Sequence, residues 1–233
     1  MTWDYIKLRG MDQLMMDFIL YPEWVHKMMK FLSEGYHQRL DFLESKGLLS
    51  PNYDNTYIGS GGFGFSEELL SENDTGLPTR ISGMWGFAES QETVGISPEM
   101  FNEFIFPYQL KLLKRFGMNC YGCCEPVDSR WKYIKKIPNL RRVSCSPWVD
   151  RELVAKNLGR KYILSSKPSP TPLSRPKMDE EEVRRELKKI IETTQGLNVE
   201  IIMKDNHTLG NNPRNISRWV EIAREEIHKI YQM

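Results

Sequence analysis

A parallel α/β fold is the architecture this sequence predicts, and three observations predict it. From residue 83 onward, short apolar runs alternate with amphipathic helical runs, five times over. Such alternation means parallel strands joined by right-handed crossover helices. The residues able to do chemistry, Glu89, Cys123, Cys124, Glu125, Lys167 and His207, all fall where a predicted strand ends. Parallel sheets open their sites at those ends, in a barrel and in a doubly wound sheet alike. The 233 residues, 40% hydrophobic and 27% charged, suffice for a single domain, residues 1–233, with a sizeable core.

The elements come in chain order. Met11, Leu14, Met15 and Phe18 have helical spacing. Pro22 suits a first helical position, and the helical period holds from Trp24 to Leu43 until Gly47 caps the run. Met15, Met16, Met28 and Met29 form a stripe whose commoner use is core packing. Residues 48–82 read as a long loop insertion with a glycine-rich centre, Ser60-Gly61-Gly62-Phe63-Gly64-Phe65. It lacks the Gly-Lys-Ser/Thr of a phosphate loop, but a loop of this length is often a functional lid.

Then the rhythm becomes regular. Residues 83–88 form a buried strand ending at Glu89. Ser97-Pro98-Glu99 opens a helix with cap, proline and acid in the favoured order, and Gly117 ends it. Strand 118–123 leads to a helix over 131–137, strand 142–145 to a helix over 152–158, and strand 162–166 to Lys167-Pro168. The helix over 179–194 begins with four acids that complement its dipole. Strand 199–203 ends in Lys204-Asp205-Asn206-His207, and Asn212-Pro213 opens the last helix.

Charge and leader sequences exclude several classes. The net charge is +1, so no global field draws nucleic acid or membrane. No apolar run approaches the ~20 residues of a membrane span. The start, Met1-Thr2-Trp3-Asp4, lacks a signal-peptide pattern. Three of the four cysteines lie at 120, 123 and 124, which is no secreted disulfide framework; a reducing cytoplasm is expected.

The chemistry is expected around Cys120-Tyr121-Gly122-Cys123-Cys124-Glu125. On a regular strand Cys120 and Cys123 face opposite sides, whereas Tyr121 and Cys123 share one. Metal binding by Cys123 or Cys124 stands against an inert buried thiol. His207 is the single histidine predicted at a strand end, a candidate metal ligand, general acid or substrate anchor against a hydrogen-bonded structural role. Glu89 is a candidate ligand or proton acceptor, Ser90 a substrate contact or turn residue. Lys167 and Lys204, at neighbouring strand ends, are candidates to hold an anionic substrate.

Two stretches carry a resemblance. Phe87-Ala88-Glu89-Ser90-Gln91, followed by Ser97-Pro98-Glu99-Met100-Phe101 and Phe106-Pro107-Tyr108, resembles the uroporphyrinogen decarboxylase superfamily, as does Asn206-His207 before Pro213. The resemblance runs from about residue 11 to about residue 231. It implies a TIM-barrel-type (β/α)8 fold, of which the five strand–helix units are an incomplete, C-terminal part. An incomplete barrel exposes strand edges, so completion by another chain or a homo-oligomer is one consequence.

The resemblance implies two activities. One branch transfers methyl groups between small molecules, thiols and a corrinoid carried on a partner protein, using zinc held by a His-x-Cys-Gly motif. Here Tyr121-Gly122-Cys123-Cys124 stands in that place, with Cys kept and His replaced. Zinc would then rest on Cys123 with Cys124, Glu125, Glu89 or His207; His207 and Glu89 would be catalytic, and Ser90, Tyr121, Lys167 and Lys204 would bind substrate. The other branch decarboxylates tetrapyrrole acetates, and only Ser90 and His207 match it. A third expectation is a non-catalytic partial barrel serving as a subunit or binding module.

Overall fold

The computed structural model describes residues 1–69 and 78–231. Residues 70–77 of the expected loop lie outside the described residues. Three helices lead: α1 (Thr2–Arg9), α2 (Met11–Leu20) and α3 (Pro22–Ser45). Leu14, Phe18, Val25 and Met29 bury the expected stripe, with Met15 and Met28 packed at its margin. Met16 faces solvent instead. The first helix was not legible in the sequence; it is held by Tyr5, which is fully buried.

The central sheet has five strands, all parallel: β3 (Trp85–Ala88), β4 (Met118–Tyr121), β5 (Leu140–Cys145), β6 (Ile163–Ser166) and β7 (Asn198–Ile201). Their spatial order is their sequence order. A doubly wound sheet reverses its strand order at a switch point. This sheet has no such reversal among the described strands.

Register sorts the side chains onto two faces, because neighbours in a parallel sheet project the same way. Tyr121, Val143 and Leu164 align on the outer face and enter the main apolar core. Helices cover that face: α4 (Pro98–Met100, Phe101–Ile105 and Phe106–Leu113), α5 (Trp131–Ile134) and α6 (Arg151–Leu158). A second core joins α7 (Glu180–Thr193) and α8 (Arg214–Tyr231) beside Ile201. The helix expected from 97 is not uniform. Its middle, Phe101–Ile105, is a π turn. Pro107 explains this, since a helical proline removes one amide and crowds the carbonyl a turn earlier.

The inner face is polar over β5 to β7, and over β3 and β4 it carries a small apolar cluster of Trp85, Met118 and Cys120. Arg142 of β5 pairs with Glu200 of β7 at 2.8 Å, and Ser165 of β6 donates to the same carboxylate at 2.5 Å. The described part of the 48–82 segment covers this face. It carries a hairpin, β1 (Tyr57–Gly59) and β2 (Gly62–Phe63), that the sequence did not announce. The Arg142 guanidinium donates to Phe63 O at 2.8 Å, and Ser60 Oγ lies 2.7 Å from Ser144 Oγ. Phe87, of β3, lies beneath Gly59, and Ile202, beyond β7, beneath Gly61. The hairpin thus spans the inner face from the first strand of the sheet to the last. Among the described residues no helix is long and apolar enough to cross a membrane.

Candidate functional site

The strand carrying the cysteines is shorter than the sequence suggests, and that decides where the thiols point. β4 stops at Tyr121, and Gly122 comes next with φ +98°. Only glycine takes that backbone region without strain. A Cβ at Gly122 would also lie 3.0 Å from Ser144 O and from Val127. The break ends the strand's alternation, so Tyr121 and Cys123 do not share a face. Tyr121 is buried among the helices and donates to Gln109 Oε1 at 2.9 Å. Cys123 turns into a cleft of about 760 Å³ at the C-terminal ends of the strands.

Glu125 fixes that turn. Its carboxylate is fully buried and accepts from Ser90 N and Cys123 N, both at 2.8 Å. It therefore staples the loop after β3 to the loop after β4. Burial pushes its carboxyl group up from the ordinary range. Glu125, considered as a metal ligand from sequence, is spent on backbone amides. Ser90 is likewise internal: buried, with Oγ 2.5 Å from Thr93 Oγ1.

Lys204 arrives from the far side of the sheet. It lies beyond β7 and places Nζ 3.0 Å from Cys123 Sγ and 3.7 Å from Cys124 Sγ. The two sulfurs are 3.8 Å apart, and Cys124 Sγ lies 3.3 Å from Asp205 Oδ2. Asp205 also reaches Lys204 Nζ at 3.3 Å. Asp205 and Ser60 both hold positive φ, at +60° and +49°. Both border the cleft, and such strained positions concentrate at functional sites.

These contacts set the protonation of the pair. Hydrogen bonding from the Cys124 thiol is the largest influence on Cys123, and the Lys204 ammonium adds to it against burial. Together they hold Cys123 well below the ordinary thiol range. Cys124 is pushed up, first by its bond to Cys123. The pair thus shares one proton at neutral pH, with the thiolate on Cys123. For Lys204, burial works against the charge, but the thiolate contacts outweigh it and raise the ammonium. Cys120 and Cys145 are fully buried, and burial pushes both up to about 12. They are inert thiols of the core.

Glu89 lines the same cleft. Burial, reinforced by Glu125, Glu92 and Cys123, lifts its carboxyl group to about 7, although Gln91 N donates to it at 2.9 Å. A carboxyl group near neutrality beside a thiolate is a proton carrier next to a nucleophile.

The remaining expected residues separate from this group. Lys167 is buried and donates to Ser165 Oγ in the polar layer; burial lowers it to about 8. It does not line the cleft. His207 is exposed, beyond Lys204, and does not line the cleft either. Among the described residues no three His, Cys, Asp or Glu side chains converge as a metal-holding group. Cys123, Cys124 and Asp205 come near, but the Lys204 ammonium already sits against them. The donor set in this arrangement does not fit zinc. Asp205, the partner of both Cys124 and Lys204, was missed in sequence; adjacency to Lys204 was its only signal.

No protein-family model matches the chain and no curated protein matches it, so its function rests on the chemistry of the site itself.

Proposed function

We propose that the chain is a thiolate-centred transferase on a barrel-type α/β sheet, in which Cys123 takes a methyl group from a small molecule in the cleft and passes it to a second acceptor. The observation that carries this reading is Lys204 Nζ at 3.0 Å from Cys123 Sγ, at the wall of an open cleft. A lone lysine pressed on a thiol stabilises the thiolate, and the thiolate is the nucleophile. In the forward step an Sγ–C bond forms as the donor's bond to that carbon breaks, and the electron pair leaves with the donor heteroatom. Glu89 in its protonated form supplies a proton to that atom. In the return step Sγ leaves as a thiolate, and Lys204 stabilises the charge that develops there.

The sequential order of the five parallel strands supports the barrel-type fold, and the proposed membership of the uroporphyrinogen decarboxylase superfamily rests on the sequence resemblance of residues 87–91, 97–101 and 106–108. A corrinoid on a partner protein, or a free thiol, is the second acceptor that this membership implies. The decarboxylase alternative needs cations to clamp a polyacid. Lys167 is buried away from the cleft, and Arg80 lines a different depression.

Zinc-dependent methyl transfer is the second reading, and one observation favours it. Two sulfurs and a carboxylate surround a single ammonium, so withdrawal of Lys204 would leave three zinc donors together.

The test is alkylation with methyl iodide at about pH 6, where an ordinary thiol is protonated, and then peptide mass mapping. The expected result is methylation at Cys123 with Cys120 and Cys145 untouched, and recovery of the free thiol on adding homocysteine as acceptor. Unselective labelling, or a methyl group that no thiol or reduced corrinoid removes, contradicts the proposal.

A further inference from the structure

The composition of the cleft wall is unusual for a site that meets a negatively charged substrate. Four aromatic rings line it, Trp3 from α1, Tyr36 from α3, Tyr57 from β1 and Phe87 from β3. Four carboxyl side chains line it as well: Asp4, Glu89, Glu92 and Asp205. Its cations among the described residues are Lys204 and the amino terminus, and both are engaged. Lys204 is on Cys123, and the amino terminus is 3.4 Å from Asp4. Tyr36 OH donates to Asp4 at 2.7 Å, which orients an electron-rich ring beside an ionised carboxylate.

We infer that this cleft binds a methylated onium cation, a quaternary ammonium or a sulfonium, with its positive head against the aromatic and acidic wall. Binding of the cation stands on the wall alone; only the methyl transfer after binding rests on the Cys123 reading. Aromatic faces attract a cation through the ring quadrupole, and the attraction grows when water is excluded. A methylated onium is broad and poorly hydrated, so its desolvation costs little compared with an ammonium bearing protons. The opening of the wall is also right for it. Tyr57 remains more than half exposed, and Trp3, whose ring already attracts the Lys7 ammonium at 4.9 Å, is half exposed, so a ligand gains apolar contact on entering. A methyl group on such a head is the carbon Cys123 needs. In the transfer Sγ–CH3 forms, the C–N⁺ or C–S⁺ bond breaks, and its electron pair stays on the heteroatom. The neutral amine or sulfide then departs; an amine takes its proton from Glu89 or water.

The experiment is calorimetric titration of the full chain with choline, with its uncharged isostere 3,3-dimethylbutan-1-ol, and with the polyanion tricarballylate. Choline should bind at least roughly tenfold more tightly than the isostere, and Tyr57→Ala and Trp3→Ala should each weaken it by about fivefold. Both variants sit at exposed rings, and unchanged melting curves confirm that they fold. Equal affinity for choline and isostere, preference for tricarballylate, or variants that bind choline as well as the wild type would overturn the inference. Parallel titrations with tetramethylammonium and trimethylsulfonium, scored for methylated Cys123, show which onium donates. Onium binding with an ordinary Cys123 thiol supports the cation site and defeats the thiolate reading. A low-pKa Cys123 in a cleft that ignores onium ions defeats the cation site alone.

Discussion

Lys204 Nζ contacts Cys123 Sγ at 3.0 Å although their strands, β7 and β4, are separated by two others. In a flat sheet those strands would lie about 14 Å apart. The contact exists because the chain after each strand turns over the same inner face. The hairpin approaches that meeting point too: Ser144 Oγ donates to Cys123 O at 3.2 Å and lies 2.7 Å from Ser60 Oγ. Lys204 therefore holds the sulfur while Ser144, backed by Ser60, holds the backbone of the same residue.

Glu89 should make stability depend on pH. Its folded value, about 7, is above the 4.5 of the free side chain. Between those values the folded state holds a proton that the unfolded state has released. Stability from this group is full below 4.5 and is lost as pH rises through about 7. Wild type should therefore lose stability relative to Glu89→Gln across that window. Chemical denaturation of both proteins at several pH values measures it, and parallel curves would exclude the shift.

Replacing Glu125 should be costly, because two buried backbone amides would lose their acceptor. Glu125→Ala should destabilise by about 3 kcal/mol, and Glu125→Gln by less, since its amide oxygen still accepts one bond. Urea unfolding gives both values. The alanine variant should also slow Cys123 alkylation, because Cys123 N would lose its anchor.

Gly122→Ala should destabilise by about 2 kcal/mol through positive φ and the crowded carbonyl of Ser144. Its thermal melt reports the loss, and the labelling pattern should shift toward equal reactivity of Cys123 and Cys124.

Zinc should discriminate between two states of the same donors. With Lys204 in place the wild type should hold no stoichiometric zinc. Lys204→Ala should bind zinc at least roughly tenfold more tightly, since a competing charge has gone and two sulfurs with Asp205 remain. Equilibrium dialysis measures this. Stoichiometric zinc in the wild type would favour the metal-dependent reading.

The alternation of strands and helices was legible because the helices carry periodic apolar residues and some of them carry a capping side chain. Ser97 accepts from Met100 N and Asp150 from Leu153 N, as their positions in the sequence imply. The hairpin at 57–63 was not legible. Its two short strands have little alternation, and what holds them is Arg142 and Ser144, far away in the chain. The cysteine loop was found from composition alone. Which cysteine is activated was not, because that depends on Lys204 and on the turn at Gly122. Lys167 looked equivalent to Lys204 as a lysine just beyond a strand. It differs because its side chain runs back to Ser165 in the interior.

The measurement that tests the central claim most directly is the pH dependence of Cys123 alkylation by iodoacetamide, read out by peptide mass mapping. The wild type should show a reactivity midpoint well below the ordinary cysteine value. Lys204→Met and Cys124→Ala should each move it upward, toward the ordinary cysteine value of about 8.5. A wild-type midpoint already at the ordinary value, unmoved in both variants, would contradict a lysine-held thiolate at this site.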